Sequence, residues 1–159
     1  MRIAVFIDYW NLQLTLNQRL SEITRTDDYR AKIDWRNIGS LFAKTACGVL
    51  GVPEKELSYE GCHIYTSFNP ATDEGRKFKN WAQTWLDRQP GVNVQIRERK
   101  PKALPKCPVC HREITHCPHA GCGKAIVATV EKGIDTLLVT DLGLGLIIYS
   151  QNATIEAMK

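Results

Sequence analysis

The chain has 159 residues, 43% of them hydrophobic, which is enough for one compact domain with a real core and short for two. Its 21 Lys and Arg against 17 Asp and Glu give a net charge of +4, a mildly basic balance that suits an anionic partner without requiring one. Only five apolar residues separate Arg2 from Asp8, and no later stretch approaches the roughly eighteen of a membrane span, so neither a signal-peptide core nor a membrane association is expected and the protein is expected to be soluble and cytoplasmic.

Ile3 to Ile7 is a near-continuous apolar run, too short for a helix, that stops at Asp8. It predicts a buried parallel strand with Asp8 and Asn11 at its carboxyl end, the edge at which open α/β sheets bind ligands. Leu12 to Leu20 predicts a first helix starting in the Asn11 region, and the polar residues 21–33 an exposed loop. Asp34 reads as the N-cap of a second helix with an apolar stripe of Trp35, Ile38, Leu41, Phe42 and Leu50, closing at Gly48 or Gly51. Cys62 to Thr66 predicts a second strand. A third helix opens at Asn69-Pro70, with Asp73 and Glu74 near the positive end of its dipole and Phe78, Trp81, Trp85 and Leu86 along one stripe, and ends at Pro90-Gly91. Val92 to Ile96 alternates as a third strand, and the order β, α, α, β, α, β predicts a layered α/β domain with a mostly parallel sheet.

Residues 97–124 break this pattern and read as an insertion within a single domain spanning 1–159. From Ala125 the sequence reads as helical, Gly133-Ile134-Asp135 interrupts it, and Thr136 to Leu142 continues apolar toward Asp141. After a break at 143–145, Leu146 to Ser150 predicts a last strand. There is no internal repeat.

Cys107-Pro-Val-Cys110 and Cys117-Pro-His-Ala-Gly-Cys122 place four of the six cysteines within sixteen residues, as two pairs. Two close thiolate pairs fit a tetrahedral structural Zn2+, with no position left for water, and His111, His116 or His119 offer replacement ligands. Free thiols in a loop, or a redox pair, are the alternatives. Cys47 and Cys62 stand alone in apolar segments and read as reduced core thiols. Arg97, Arg99, Lys100, Lys102 and Lys106 lead into the cysteine cluster against one acid, Glu98, a basic arm suited to phosphate contacts, although a solvated loop has the same composition.

Asp8, Asp135 and Asp141 are the acids near apolar segments, and hard oxygen ligands of this kind hold Mg2+ or Mn2+. Six residues along one helix is about 600°, so Asp135 and Asp141 face roughly 120° apart and meet one ion only if the helix begins after Asp135 or is irregular.

Taken together, Val5-Phe6-Ile7-Asp8 with Asn11, Lys132-Gly133-Ile134-Asp135 with Asp141, and the cysteine loop between them resemble the NYN domains of the PIN-like nuclease superfamily, in particular a bacterial subgroup with a zinc-binding insertion. The resemblance spans nearly the whole chain. It implies a PIN-like, Rossmann-like three-layer α/β fold with a zinc-binding loop, and a Mg2+- or Mn2+-dependent endoribonuclease in which Asp8, Asn11, Asp135 and Asp141 match the acidic-site pattern. The end departs from that pattern: aligned on Ser150, Asn152 and Thr154 stand where the family has carboxylates, and the domain is expected to be incomplete or truncated there.

Two functions follow as expectations. In the enzyme reading, ions at Asp8 and Asp135, with Asp141 and Asn152 as further ligands, activate water for attack on RNA, while Asn11 orients Asp8 or that water. The basic arm, the zinc loop and Lys132 hold the RNA strand. In the binding reading the missing carboxylates leave an RNA-binding or partner-binding module, with Tyr9, Trp10 and Tyr65 available to stack on bases. A second copy or a partner protein completing the C-terminal edge fits either one.

Overall fold

The computed structural model describes residues 1–26, 29–126 and 128–143; the expected strand at 146–150, Asn152 and Thr154 lie outside the described residues. Three strands, β1 (Arg2–Asp8), β2 (Ser58–Phe68) and β3 (Val92–Glu98), form a parallel sheet in the order β1-β2-β3. The apolar runs make them strands because each is buried on the sheet's inner face and hydrogen-bonded to a neighbour in one register, Val5 and Ile7 beside Cys62 and Ile64, and these beside Val92 and Val94.

That face is covered by α1 (Tyr9–Thr24), α2 (Ile38–Leu50) and α3 (Asp73–Trp81), the last running on through a π turn at Ala82–Leu86. Trp35, Ala43 and Leu86 close the core, with Phe42, Phe78 and Trp81 packed around it. Full burial of an aliphatic side chain such as Leu86 contributes about 2 kcal/mol. Period-two alternation turns Phe6, Asp8, His63, Tyr65, Ser67 and Arg97 to the opposite face. There α4 (Ile134–Gly143) lies over the carboxyl end of the sheet, anchored by the buried Ile134 and by a bond from Tyr65 to Asp141. The architecture is therefore α/β, with helices on both faces of a parallel sheet, compatible with a Rossmann-like layout. No helix among the described residues is long and apolar enough to cross a membrane.

Several element boundaries differ from the sequence reading. Helix α1 starts at Tyr9, two residues ahead of the expected Asn11 region, because Asp8 itself caps it, and continues through residues expected as loop to Thr24, where Arg25 turns left-handed. Asp34 caps no helix: its carboxylate takes the Arg36 N–H and the Asn37 side chain in a local turn, and α2 begins only at Ile38. Leu41 and Leu50, placed on the core stripe by their spacing, are exposed. Helix α3 opens at Asp73 rather than at Asn69-Pro70, because Thr72 caps it by accepting the Gly75 N–H at 3.1 Å.

Strand β2 extends past the expected Cys62–Thr66 in both directions, since Ser58 to Gly61 pair with β1 despite their polarity. A bulge lies opposite Ile3/Ala4, where Gly61 adopts φ +119 and a β-carbon would come within 2.9 Å of the Gly91 carbonyl. The return from the insertion, expected to be helical, instead forms β5 (Thr129–Val130), antiparallel to β4 (Lys100–Pro101). Its β-branched residues pair with the outgoing chain, so the insertion closes on itself at its neck.

Candidate functional site

Parallel strands bring all their carboxyl ends to one edge, and the acids gather there. Asp8 ends β1 and accepts the Asn11 backbone N–H at 3.1 Å, so the demand of α1 for an N-cap holds its side chain at this edge. Asn11 sits exposed in the first turn of α1, and the hydrogen bond it makes to Asp8 is through its backbone. Glu131 directly follows β5, and Asp135 lies in the first turn of α4. Among the described residues, Asp8, Glu131 and Asp135 are the one group of three potential metal ligands whose donor atoms all lie within 4.8 Å of one another. Asp8 and Glu131 are half-buried and Asp135 is exposed. Like charges this close repel, a repulsion that the Arg99 guanidinium 3.9 Å from Glu131 offsets in part and that a divalent cation with oxygen coordination would offset further.

Gly133 makes the turn from Glu131 into α4 possible: it adopts φ +80, and a β-carbon there would lie 3.2 Å from Arg97 Nη1. That places the Arg97 guanidinium beside the entrance to α4. Glu131 was not singled out by sequence because it falls in a segment that reads as helical. Its available signal was Ala128-Thr129-Val130 stopping at a carboxylate, the pattern of β1 and Asp8 in miniature.

Asp141 does not join the three acids. Helix α4 begins before Asp135, so the two face different ways, and the Asp141 carboxylate accepts the Tyr65 hydroxyl at 2.6 Å. Burial first, and then the Asp141 carboxylate, hold the Tyr65 phenol well above the ordinary tyrosine pKa.

The aromatic residues considered for base stacking are committed elsewhere. Tyr9 is buried and stacks on Trp35 at 4.9 Å, Tyr65 is buried, and Trp10 is half-buried, packed on Phe78 and bonded to the Ser67 carbonyl at 2.7 Å.

Of the basic residues, Arg97, Lys100, Lys102, Lys106 and Lys132 are exposed, while Arg99 is half-buried and turned toward Glu131. Residues 97–124 carry seven Lys and Arg against two Glu, so the positive charge of the chain is concentrated in the insertion.

Each cysteine pair sits on its own hairpin. The Cys107 N–H bonds the Arg112 carbonyl at 2.8 Å beside the Lys106/Glu113 bridge, with His111 left-handed at φ 57. The Cys117 N–H bonds the Lys124 carbonyl at 2.8 Å beside the His116/Ala125 bridge. Backbone N–H groups of Cys110 and then Val109, followed by the Cys110 side chain, lower the Cys107 thiol pKa and so favour the thiolate that binds metal. All six cysteines are free, and no three of the sulfur and histidine donors of the insertion lie within 4.8 Å of one another. Cys47 and Cys62 are buried in the core, as expected.

No protein-family model, curated protein or solved structure matches the chain.

Proposed function

We propose that this chain is a PIN-like nuclease of the NYN type, a metal-dependent endoribonuclease whose Mg2+ or Mn2+ is held by Asp8, Glu131 and Asp135. The observation that carries this reading is the convergence of these three carboxylates within 4.8 Å at the carboxyl edge of a parallel sheet. The donor set fits the ion, being all hard oxygen and including one exposed member open to substrate. A bound divalent ion supplies Lewis-acid charge that activates water and offsets the charge developing on a phosphodiester. The chain's own part is to hold that charge in place. Asp8 is oriented by its cap to α1, Glu131 by Ser67, and Asp135 by the glycine turn at its helix start. The exposed Arg97, Lys100, Lys102, Lys106 and Lys132 supply phosphate contacts that position an RNA strand without reading its sequence. The two cysteine hairpins are proposed to close on one structural Zn2+: each carries a pair of soft thiol donors, and the ion would have to draw the two pairs together, since no three of their donors lie within 4.8 Å of one another.

The test is cleavage of labelled single-stranded and structured RNA with Mn2+, Mg2+ or EDTA, comparing the chain with Asp8→Asn and Glu131→Gln. Metal-dependent cleavage lost in both variants supports the reading, and a folded, zinc-loaded chain that cleaves nothing sinks it. One observation favours a catalytically impaired RNA-binding module instead: Asp141, a position matching the family pattern, is taken up by Tyr65, leaving three acids in the group. RNA binding without cleavage identifies that module.

A further inference from the structure

Arg99 belongs by sequence to the basic arm, yet its surroundings differ from those of its neighbours. Arg97 and Lys100 are exposed, whereas Arg99 is half-buried with its backbone N–H bonded to the Phe68 carbonyl at 2.9 Å. Its Nε donates to Ser67 Oγ at 3.0 Å, its Nη2 lies 3.9 Å from Glu131 Oε2, and its guanidinium carbon lies 5.5 Å from the Trp10 ring centroid. Ser67 is the centre of this arrangement. It is 1% exposed, its hydroxyl accepts from Arg99 and donates to Glu131 Oε2, and its carbonyl accepts from Trp10 Nε1. A serine hydroxyl has one proton to give and lone pairs to accept with, so the two side-chain bonds support each other.

The topology explains why these residues meet. Arg99 directly precedes β4, Glu131 directly follows β5, and β4 pairs with β5. The two ends of the insertion are therefore an arginine and a glutamate, both fastened to one serine near the end of the middle strand.

We infer that Ser67 and Arg99 are positioning residues for Glu131, and that Arg99 clamps the neck of the insertion rather than gripping a phosphate. The inference rests on the proposed metal site for one of its readouts. A cation at Arg99 also repels a divalent ion through space, an effect opposite to that of orienting its ligand. Ser67→Ala separates the two because it removes the orienting hydroxyl and no charge. Arg99→Lys keeps the charge but loses the planar fork that reaches Ser67 and Glu131 together.

The experiment is direct Mn2+ titration of the full chain, with RNA affinity measured in EDTA alongside. Ser67→Ala and Arg99→Lys should each weaken Mn2+ binding about tenfold or more, the usual effect of losing a group that orients a ligand. Arg99→Gln should leave RNA affinity in EDTA unchanged, while Arg97→Gln lowers it. Wild-type Mn2+ affinity in a folded Ser67→Ala, or an RNA defect in Arg99→Gln equal to that of Arg97→Gln, overturns the inference. If the wild-type chain binds no Mn2+, the metal reading itself fails, and hydrogen exchange at the amides of residues 131–135 then decides the clamp. Faster exchange in Ser67→Ala supports it, and exchange equal to wild type overturns it.

Discussion

The Tyr65 hydroxyl donates to the Asp141 carboxylate across 2.6 Å, joining the middle strand of the sheet to the later part of α4. Tyr65 is 1% exposed, so the bond is sheltered on the tyrosine side, and its acceptor is charged. Tyr65→Phe should therefore cost about 1.5–3 kcal/mol and lower Tm by several degrees, whereas Asp141→Asn, which keeps an acceptor oxygen, should cost less. Thermal unfolding of the two variants checks the order, and a Tyr65→Phe as stable as wild type, with its ring packing kept, would place the stabilisation in packing rather than in the bond.

Asp8 serves two demands with one side chain, an N-cap for α1 and a negative charge at the edge. Asparagine caps as well as aspartate does, so Asp8→Asn should leave chemical stability within about 0.5 kcal/mol of wild type while removing Mn2+ binding. Asp8→Ala should lose the cap as well, at about 1 kcal/mol. Urea unfolding of both variants beside a Mn2+ titration separates the roles, and a large stability loss in Asp8→Asn would contradict the division.

Burial pushes the Cys62 thiol up to about 12. In the unfolded chain the same thiol ionises near its ordinary value of about 8.5–9. A raised folded pKa means that its contribution to stability is complete below about pH 8.5 and is lost as pH rises toward 12. About 2 kcal/mol should disappear between pH 9 and pH 10.5, and Cys62→Ala, which has no ionisable proton, should flatten that part of the pH profile. Urea unfolding at the two pH values measures it, and an unchanged slope in the variant would assign the alkaline loss to other groups such as Tyr59, which burial also raises to about 12.

The main core and the side chains packed against it come from residues between Ile3 and Val94, with none from the insertion. Metal analysis should find one Zn2+ per chain, and chelation or Cys122→Ser should release it. The hairpin amides of Cys107 and Cys117 should then exchange faster, while those of β1 and β2 stay protected. Collapse of the whole sheet on chelation would instead make the insertion part of the global folding unit.

Much of the architecture was legible because it depends on local periodicity. The apolar run before Asp8, the alternation of Val92 to Ile96 and the stripe of Phe78, Trp81, Trp85 and Leu86 each state which face must be buried, although Trp85 proves exposed. Burying those faces together yields a parallel sheet covered by helices. Boundaries were less legible, because caps are decided by which side chain reaches which orphan N–H: Asp34 reads as a cap and makes a turn, while Asp8, which ends its strand as expected, also makes the cap of α1.

By itself the sequence determined the fold class, the edge at which Asp8 sits and the pairing of the cysteines along the chain, all consequences of hydrophobic pattern and spacing. Only the tertiary structure decided the membership of the acidic group. Glu131 enters it and Asp141 leaves it because β5 delivers one to Ser67 while the pitch of α4 turns the other to Tyr65. Arg99, one basic residue among five along the arm, likewise became an internal partner of Glu131 through strand pairing between segments about thirty residues apart. Such relationships are set by register and by the direction a side chain takes from its element, and neither is written in local sequence.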